Sequence, residues 1–159
     1  MTRIAITGHR GLPERTTALV DAQLRAELAD RSDDRLVGIS CIADGADSLF
    51  ARAVLDCGGD LVVVVPAREY RAGLPAEHHP VYDDLLSEAA EVIRLEHVES
   101  NSEAHQAGSV RMLDEADELF AVWDGKPARG YGGTTDVVAV ARERGLPVTV
   151  VWPEGSARD

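Results

Sequence analysis

Three short segments bring together residue types suited to holding a phosphate. Each stands where an apolar stretch gives way to a polar, glycine-bearing turn. The first is Gly130-Tyr131-Gly132-Gly133-Thr134-Thr135-Asp136. Its glycines let the backbone approach an anion and turn N–H groups inward. The helix expected to start there adds unpaired donors and the positive end of its dipole. Thr134 or Thr135 can cap that helix or donate a hydroxyl to phosphate; a plain glycine turn with a Thr cap is the simpler alternative. No Walker lysine is present and the spacing is not GxGxxG, so neither ATP hydrolysis nor standard dinucleotide binding is implied.

The second segment is Thr7-Gly8-His9-Arg10-Gly11. Gly8 allows close approach, and the Arg10 guanidinium offers a fork of donors to phosphate or carboxylate. His9 suits an orienting hydrogen bond better than catalysis. The third is Ser40-Cys41-Ile42-Ala43-Asp44-Gly45-Ala46-Asp47, where two carboxylates meet a helix start. Asp44 fits an N-cap, while Asp47 can accept from ribose hydroxyls or orient water. Arg68, Tyr70 and Arg71 follow a third apolar run and could fold over a ligand as a partial lid; an ordinary solvated loop is the alternative. His78 and His79 are adjacent and lack a third ligand at metal-binding spacing, so no metal site is expected. Cys41 has no base beside it and reads as a small buried hydrophobe.

These segments need a frame. The apolar pattern predicts strands at Ile4–Thr7, Leu36–Ser40, Leu61–Val65, Val92–Leu95, Leu119–Trp123 and Val148–Trp152. Helices are predicted over Pro13–Asp30, Asp44–Cys57, Val81–Ala90, Ser100–Glu115 and Thr135–Arg144, with Gly58 and Gly145 as stops. The run Leu61-Val62-Val63-Val64-Val65 has no polar alternation, so its strand is covered on both faces, as in a parallel sheet between helical layers. Pro66 is expected to end it. Alternating strands and helices require right-handed crossovers. The expected fold is therefore α/β: a doubly wound, mostly parallel six-stranded sheet with helices on both faces, Rossmann-like, in the order 4-3-2-1-5-6. The topological switch then lies between the first and fifth strands, where the loops after Thr7, Ser40 and Trp123 should meet. Residues 1–153 form one nucleotide-binding domain and 154–159 a frayed polar tail.

Bulk properties narrow the partners. With 159 residues the chain suits one core. A net charge of −12 and 4% aromatics disfavour nucleic acid, yet leave room for a local basic pocket holding one nucleotide. Two cysteines, no basic-then-apolar leader and no bilayer-length apolar run give an expectation of a cytoplasmic protein without membrane contact.

Thr7-Gly8-His9-Arg10, Ala43-Asp44-Gly45-Ala46-Asp47 with Ala51, Val122-Trp123-Asp124-Gly125 and Gly132-Gly133-Thr134 together resemble one superfamily. It joins the DNA-processing protein A (Smf) proteins to the LOG "lysine decarboxylase-like" phosphoribohydrolases, and the chain is most similar to its YpsA-like bacterial branch. The likeness covers nearly the whole chain. It implies a Rossmann-like (SLOG-type) fold, a nucleotide-like ligand and homodimerisation. In LOG enzymes a Thr of the glycine-rich motif is followed three residues later by a catalytic Glu. Aligning Thr134 with that Thr puts Val137 at the acid's position. Asp136 comes one residue early, which turns its carboxylate by about 100° around a helix axis; Asp47 and Asp136 are the remaining acid candidates.

The resulting expectation is binding, or sensing, of a nucleotide or nucleotide-sugar derivative. Gly8, His9, Arg10, Gly130, Gly132, Gly133, Thr134 and Thr135 would hold its phosphate. Asp44, Gly45, Asp47, Arg68, Tyr70 and Asp124 are candidates for ribose and base. No separate cofactor is implied. The alternatives are a LOG-like hydrolase of nucleoside monophosphates and, more weakly, a DNA-processing factor.

Overall fold

Strand β1 (Thr2–Gly8) opens the chain, followed by α1 (Glu14–Ala29), β2 (Leu36–Ser40), α2 (Ala46–Asp56) and β3 (Asp60–Ala67). Two single-turn 3₁₀ helices, Arg71–Gly73 and Ala76–His78, lead into α3 (His79–Ser87) and β4 (Glu91–His97). Then come α4 (Ser102–Asp114), β5 (Glu118–Val122), α5 (Thr134–Glu143) and β6 (Val148–Val150). The computed structural model describes residues 1–31, 34–127 and 133–158.

All strand pairs are parallel, in the order β4-β3-β2-β1-β5-β6. Alternate residues of β1 feed two cores: Ile4 and Ile6 pack with Val20, Leu24, Phe50 and Phe120, while Ala5 joins Ile39, Leu61, Met112 and Val137 on the other side. That alternation is the two-residue period of a strand lying between helical layers. Leu61 to Val65 are all nearly inaccessible, as the unbroken apolar run predicted.

Several local expectations are corrected. Pro66 does not end β3: the strand continues to Ala67, and the ladder to β4 shifts register between Val65 and Ala67. A proline has no N–H to give, so the pairing passes over it. Asp44 is not the N-cap of α2; Gly45 holds that position at φ +85°. Helix α4 starts at Ser102 rather than Ser100, and Asn101 is its N-cap, the side chain accepting the Ala104 N–H at 2.9 Å. The connection from β3 to α3, which carries Arg68, Tyr70 and Arg71, is not a plain loop but contains the two 3₁₀ turns. The polar tail is not loose: the Thr16 hydroxyl donates to Ala157 O (2.9 Å) and accepts the Ala157 N–H (2.8 Å).

Candidate functional site

Crossovers on the two sides of β1 run in opposite directions, so a crevice opens beyond the carboxyl ends of β1 and β5. A cavity of about 480 Å³ lies there, within the size range of small-molecule sites. The loops after β1, β2 and β3, one face of α4, the first turn of α5 and the tail all contribute to its wall.

Gly8 closes β1 at the cavity edge. A Cβ there would lie 2.4 Å from Ala46 Cβ and 2.8 Å from Val122 Cβ, so the absent side chain lets β1 pack against α2 and β5. His9 is buried, and its ring meets Trp152 edge-on at 5.6 Å. Its Nε2 accepts the Asp124 N–H at 3.2 Å and lies 3.4 Å from Asp124 Oδ1. His9 thus joins the loop after β1 to the loop after β5.

Arg10 Nε donates to Asp44 Oδ1 at 2.8 Å, and the Gly11 N–H donates to Oδ2 at 3.2 Å. This explains the failed cap. A guanidinium 34 positions away holds the carboxylate that would have folded back onto its own helix. The Nη groups of Arg10 have no hydrogen-bond partner among the described residues and remain available at the cavity.

The loop after β2 is tightly determined. Ile42 is fully buried at φ +48°, a left-handed conformation that a β-branched side chain rarely adopts. Ser40 Oγ accepts the Ile42 N–H at 2.9 Å and donates to Asp47 O at 3.0 Å. His78 Nε2 donates to Ile42 O at 2.9 Å, and Ser48 Oγ donates to Ala43 O at 2.6 Å. The turn aims Asp47 into the cavity, where burial pushes its carboxyl up to about 7. The Ala43 N–H at 3.4 Å and the Arg10 charge pull it down less than burial raises it.

The opposite wall is α4. His105, Ser109 and Met112 recur at i, i+4 and i+7 and so share one face. Gly108 lets that helix lie close to β3, since a Cβ would come within 2.8 Å of Pro66 Cγ. Tyr70 is buried against His105, their ring centroids 5.6 Å apart. Burial raises the Tyr70 phenol well above its ordinary value and, with a lesser contribution from Arg10, lowers His105. At the start of α5, Gly133 and Thr134 line the cavity. Thr134 is only 8% exposed, and its hydroxyl has no hydrogen-bond partner among the described residues.

Of the residues expected from sequence, Gly8, His9, Arg10, Asp44, Asp47, Tyr70, Gly133 and Thr134 share this cavity. Others stand outside its wall. Arg68 is solvent-exposed, and Arg71 forms a two-pronged pair with Asp83 (2.8 Å for both bonds) rather than a lid. Thr135 Oγ1 donates to Lys126 O at 2.9 Å and accepts from Trp123 Nε1 at 3.1 Å. Asp124 takes the Lys126 N–H at 3.0 Å behind His9. Gly45 borders a smaller hollow beside His78, and Asp136 does not line the cavity. Gly130 and Gly132 lie outside the described residues. Sequence reasoning missed His105, Ser109, Met112 and Arg158 as wall residues. The i, i+4, i+7 recurrence was the available signal for the first three.

Solved structures share this fold. DNA processing protein A from Helicobacter pylori, in a structure titled for its single-stranded DNA binding mode, superposes with a TM-score of 0.71 at 17% identity, over 98% of this chain and 68% of that one. The Streptococcus pneumoniae DNA processing protein A gives 0.67 at 15% identity, over 94% and 50%. The Moco carrier protein of Chlamydomonas reinhardtii gives 0.58 at 17%, over 97% and 78%. The fold is theirs. This chain spans about half the length of the S. pneumoniae protein. No protein-family model and no curated sequence matches it. Among the described residues, no helix is long and apolar enough to cross a membrane, and no three His, Cys, Asp or Glu side chains cluster as metal ligands.

Proposed function

We propose that the cavity binds a nucleotide or nucleotide-sugar derivative through its phosphate, in a binding or sensing role. The observation that carries this reading is convergence: the open Nη groups of Arg10 and the Thr134 hydroxyl at the first turn of α5 border one cavity. A phosphate between them would take charge-assisted bonds from one side and the helix N-terminus from the other. The acceptors Asp44 and Asp47 suit ribose hydroxyls, and Tyr70 offers an aromatic surface for a base. Charge-assisted bonds contribute roughly 1.5–3 kcal/mol each. Arg10→Ala should therefore weaken binding of a phosphorylated ligand by about 10- to 150-fold in calorimetric titration against a nucleotide panel and ADP-ribose. The melting temperature should change little, because the half-exposed Arg10–Asp44 pair is worth at most about 1 kcal/mol. Unchanged affinity for every ligand the wild type binds would remove Arg10 from the phosphate site.

A second reading, hydrolysis of an N-glycosidic bond, is favoured by Asp47, a cavity carboxyl that keeps its proton near neutrality as a general acid must. Against it, Val137 occupies the position of the LOG acid and is 1% exposed within the core. Nucleoside 5′-monophosphates should release base slowly or not at all; turnover of about 1 s⁻¹ or faster would promote the hydrolase. DNA processing ranks third, because a net charge of −12 opposes a polyanionic strand.

A further inference from the structure

The tail is built into the site. After β6 the Val151 N–H donates to Ala121 O at 2.8 Å, continuing contact with β5. Pro153 and Gly155 then turn the chain: Ser156 N–H donates to Pro153 O at 3.0 Å, and Gly155 sits at φ +91°. A Cβ on Gly155 would lie 3.4 Å from Arg15 Nη2 and 3.6 Å from Leu19 Cδ1, so the turn rests on α1. The next residue but one is clamped. Ala157 exchanges two hydrogen bonds with the hydroxyl of Thr16, which is 1% exposed. That clamp delivers Arg158 to the cavity wall.

Among the described residues two arginines border the cavity, and they differ. Arg10 shares its charge with Asp44. Arg158 makes no hydrogen bond or close ion pair with any described residue, although it is only partly exposed; its charge reaches Asp124 only at longer range, where it helps to lower that carboxyl. Holding a long cationic side chain at a cavity costs rotamer entropy and hydration. A second anionic group on the ligand would offset both. We propose that Arg158 is a ligand-binding residue carried on a tail strap, and that the site takes a diphosphate. Arg10 and Thr134 meet one phosphate and Arg158 the other. The diphosphate can be terminal, as in a nucleoside diphosphate, or esterified between two sugars. This rests on the phosphate-site reading above and adds to it the number of phosphates.

Titration with AMP/ADP, GMP/GDP, CMP/CDP and UMP/UDP pairs, and with ADP-ribose, tests the inference. Wild type should bind the diphosphate of its preferred base at least about 10-fold more tightly than the monophosphate. Arg158→Ala should erase that preference while leaving monophosphate affinity within about twofold, and Arg158→Lys should restore part of it. ADP-ribose losing affinity together with the nucleoside diphosphate supports an esterified diphosphate as well; only the latter responding restricts the site to terminal ones. Thr16→Val frees the clamp without touching the cavity and should lower the preference in the same direction as Arg158→Ala. Binding by the wild type with no preference for diphosphate overturns the proposal. So does an equal loss, or no loss, for both members of the pair in Arg158→Ala. Those results leave the Arg10 site standing. A wild type that binds no phosphorylated ligand overturns the site itself, and the strap with it.

Discussion

The loop after β2 and the first turn of α5 border the same cavity and are made differently. Around the first, Ser40, Ser48 and His78 hold the backbone of Ile42 and its neighbours, down to a left-handed isoleucine. At the second, Gly133 occupies the N-cap without a side chain to give, and the Thr134 hydroxyl has no partner among the described residues. Polar groups satisfied within the protein serve to place other groups; those left open at a cavity have a ligand as their natural partner. The contrast predicts that changes on the β2 side act on stability, and changes on the α5 side act on affinity.

The largest effect should come where the strand ends are most crowded against α2. Gly8→Val would force its branched side chain into Ala46 and Val122. Overpacking of this kind costs on the order of 3 kcal/mol, or a melting point lower by about 6–12 °C for a chain of this size. Gly45→Ala should act similarly, because φ +85° and His9 O at 2.6 Å from the new Cβ both oppose it. If Gly8→Val melts like the wild type but fails to bind nucleotide, Gly8 serves the ligand and the contrast fails at this point.

Asp47 belongs to the determined side yet faces the cavity, so its titration sharpens the comparison. Its folded-state carboxyl titrates at about 7 against an ordinary value of 3.8. Between these values the folded protein holds a proton that the unfolded chain has released, so stability falls as pH rises from about 4 to 8. The upper limit of this contribution is on the order of 4 kcal/mol. Other carboxylates are shifted the opposite way, including Asp83 beside Arg71 and Asp34 beside the chain's amino terminus. The contribution is therefore read as a difference: Asp47→Asn should gain stability over wild type progressively above pH 4 in denaturant titrations. A difference that does not vary with pH would mean that Asp47 is ionised throughout.

What the sequence made legible follows the same division. Periodicity is local information: the unbroken Leu61–Val65 run revealed a strand covered on both sides, and the alternation of strands with helices led to the sheet order and the position of the crevice. Glycine and threonine at Gly133-Thr134 marked the start of a helix, and that start lines the cavity. Side-chain partners are not local. Asp44 looks like a cap until Arg10, far away in sequence, claims it. Tyr70 and Arg68 occupy one loop, but only the tyrosine turns inward, because its ring can be buried against His105 and Tyr82. Arg158 sits in a polar tail without periodicity, and only the distant Thr16 clamp shows where it goes.

The smallest effects separate two adjacent threonines, and they test the contrast at single-residue resolution. Thr134→Val removes a cavity hydroxyl that the protein itself does not use, while keeping the shape and the β-branch. One neutral hydrogen bond contributes about 0.5–1.5 kcal/mol, so affinity for a phosphorylated ligand should fall by roughly two- to tenfold with little change in melting. Thr135→Val removes the hydroxyl that links Trp123 Nε1 to the Lys126 carbonyl. Leaving the indole N–H with one partner fewer should cost about 1 kcal/mol of stability, and ligand affinity should hold within twofold. Calorimetry and thermal melts on both variants read the four quantities. Should Thr135→Val lose affinity and Thr134→Val lose only stability, the phosphate approaches from the Trp123 side of the helix start. The hydroxyl at Thr134 would then be a packing feature of α5, and the open first turn would no longer distinguish the two walls.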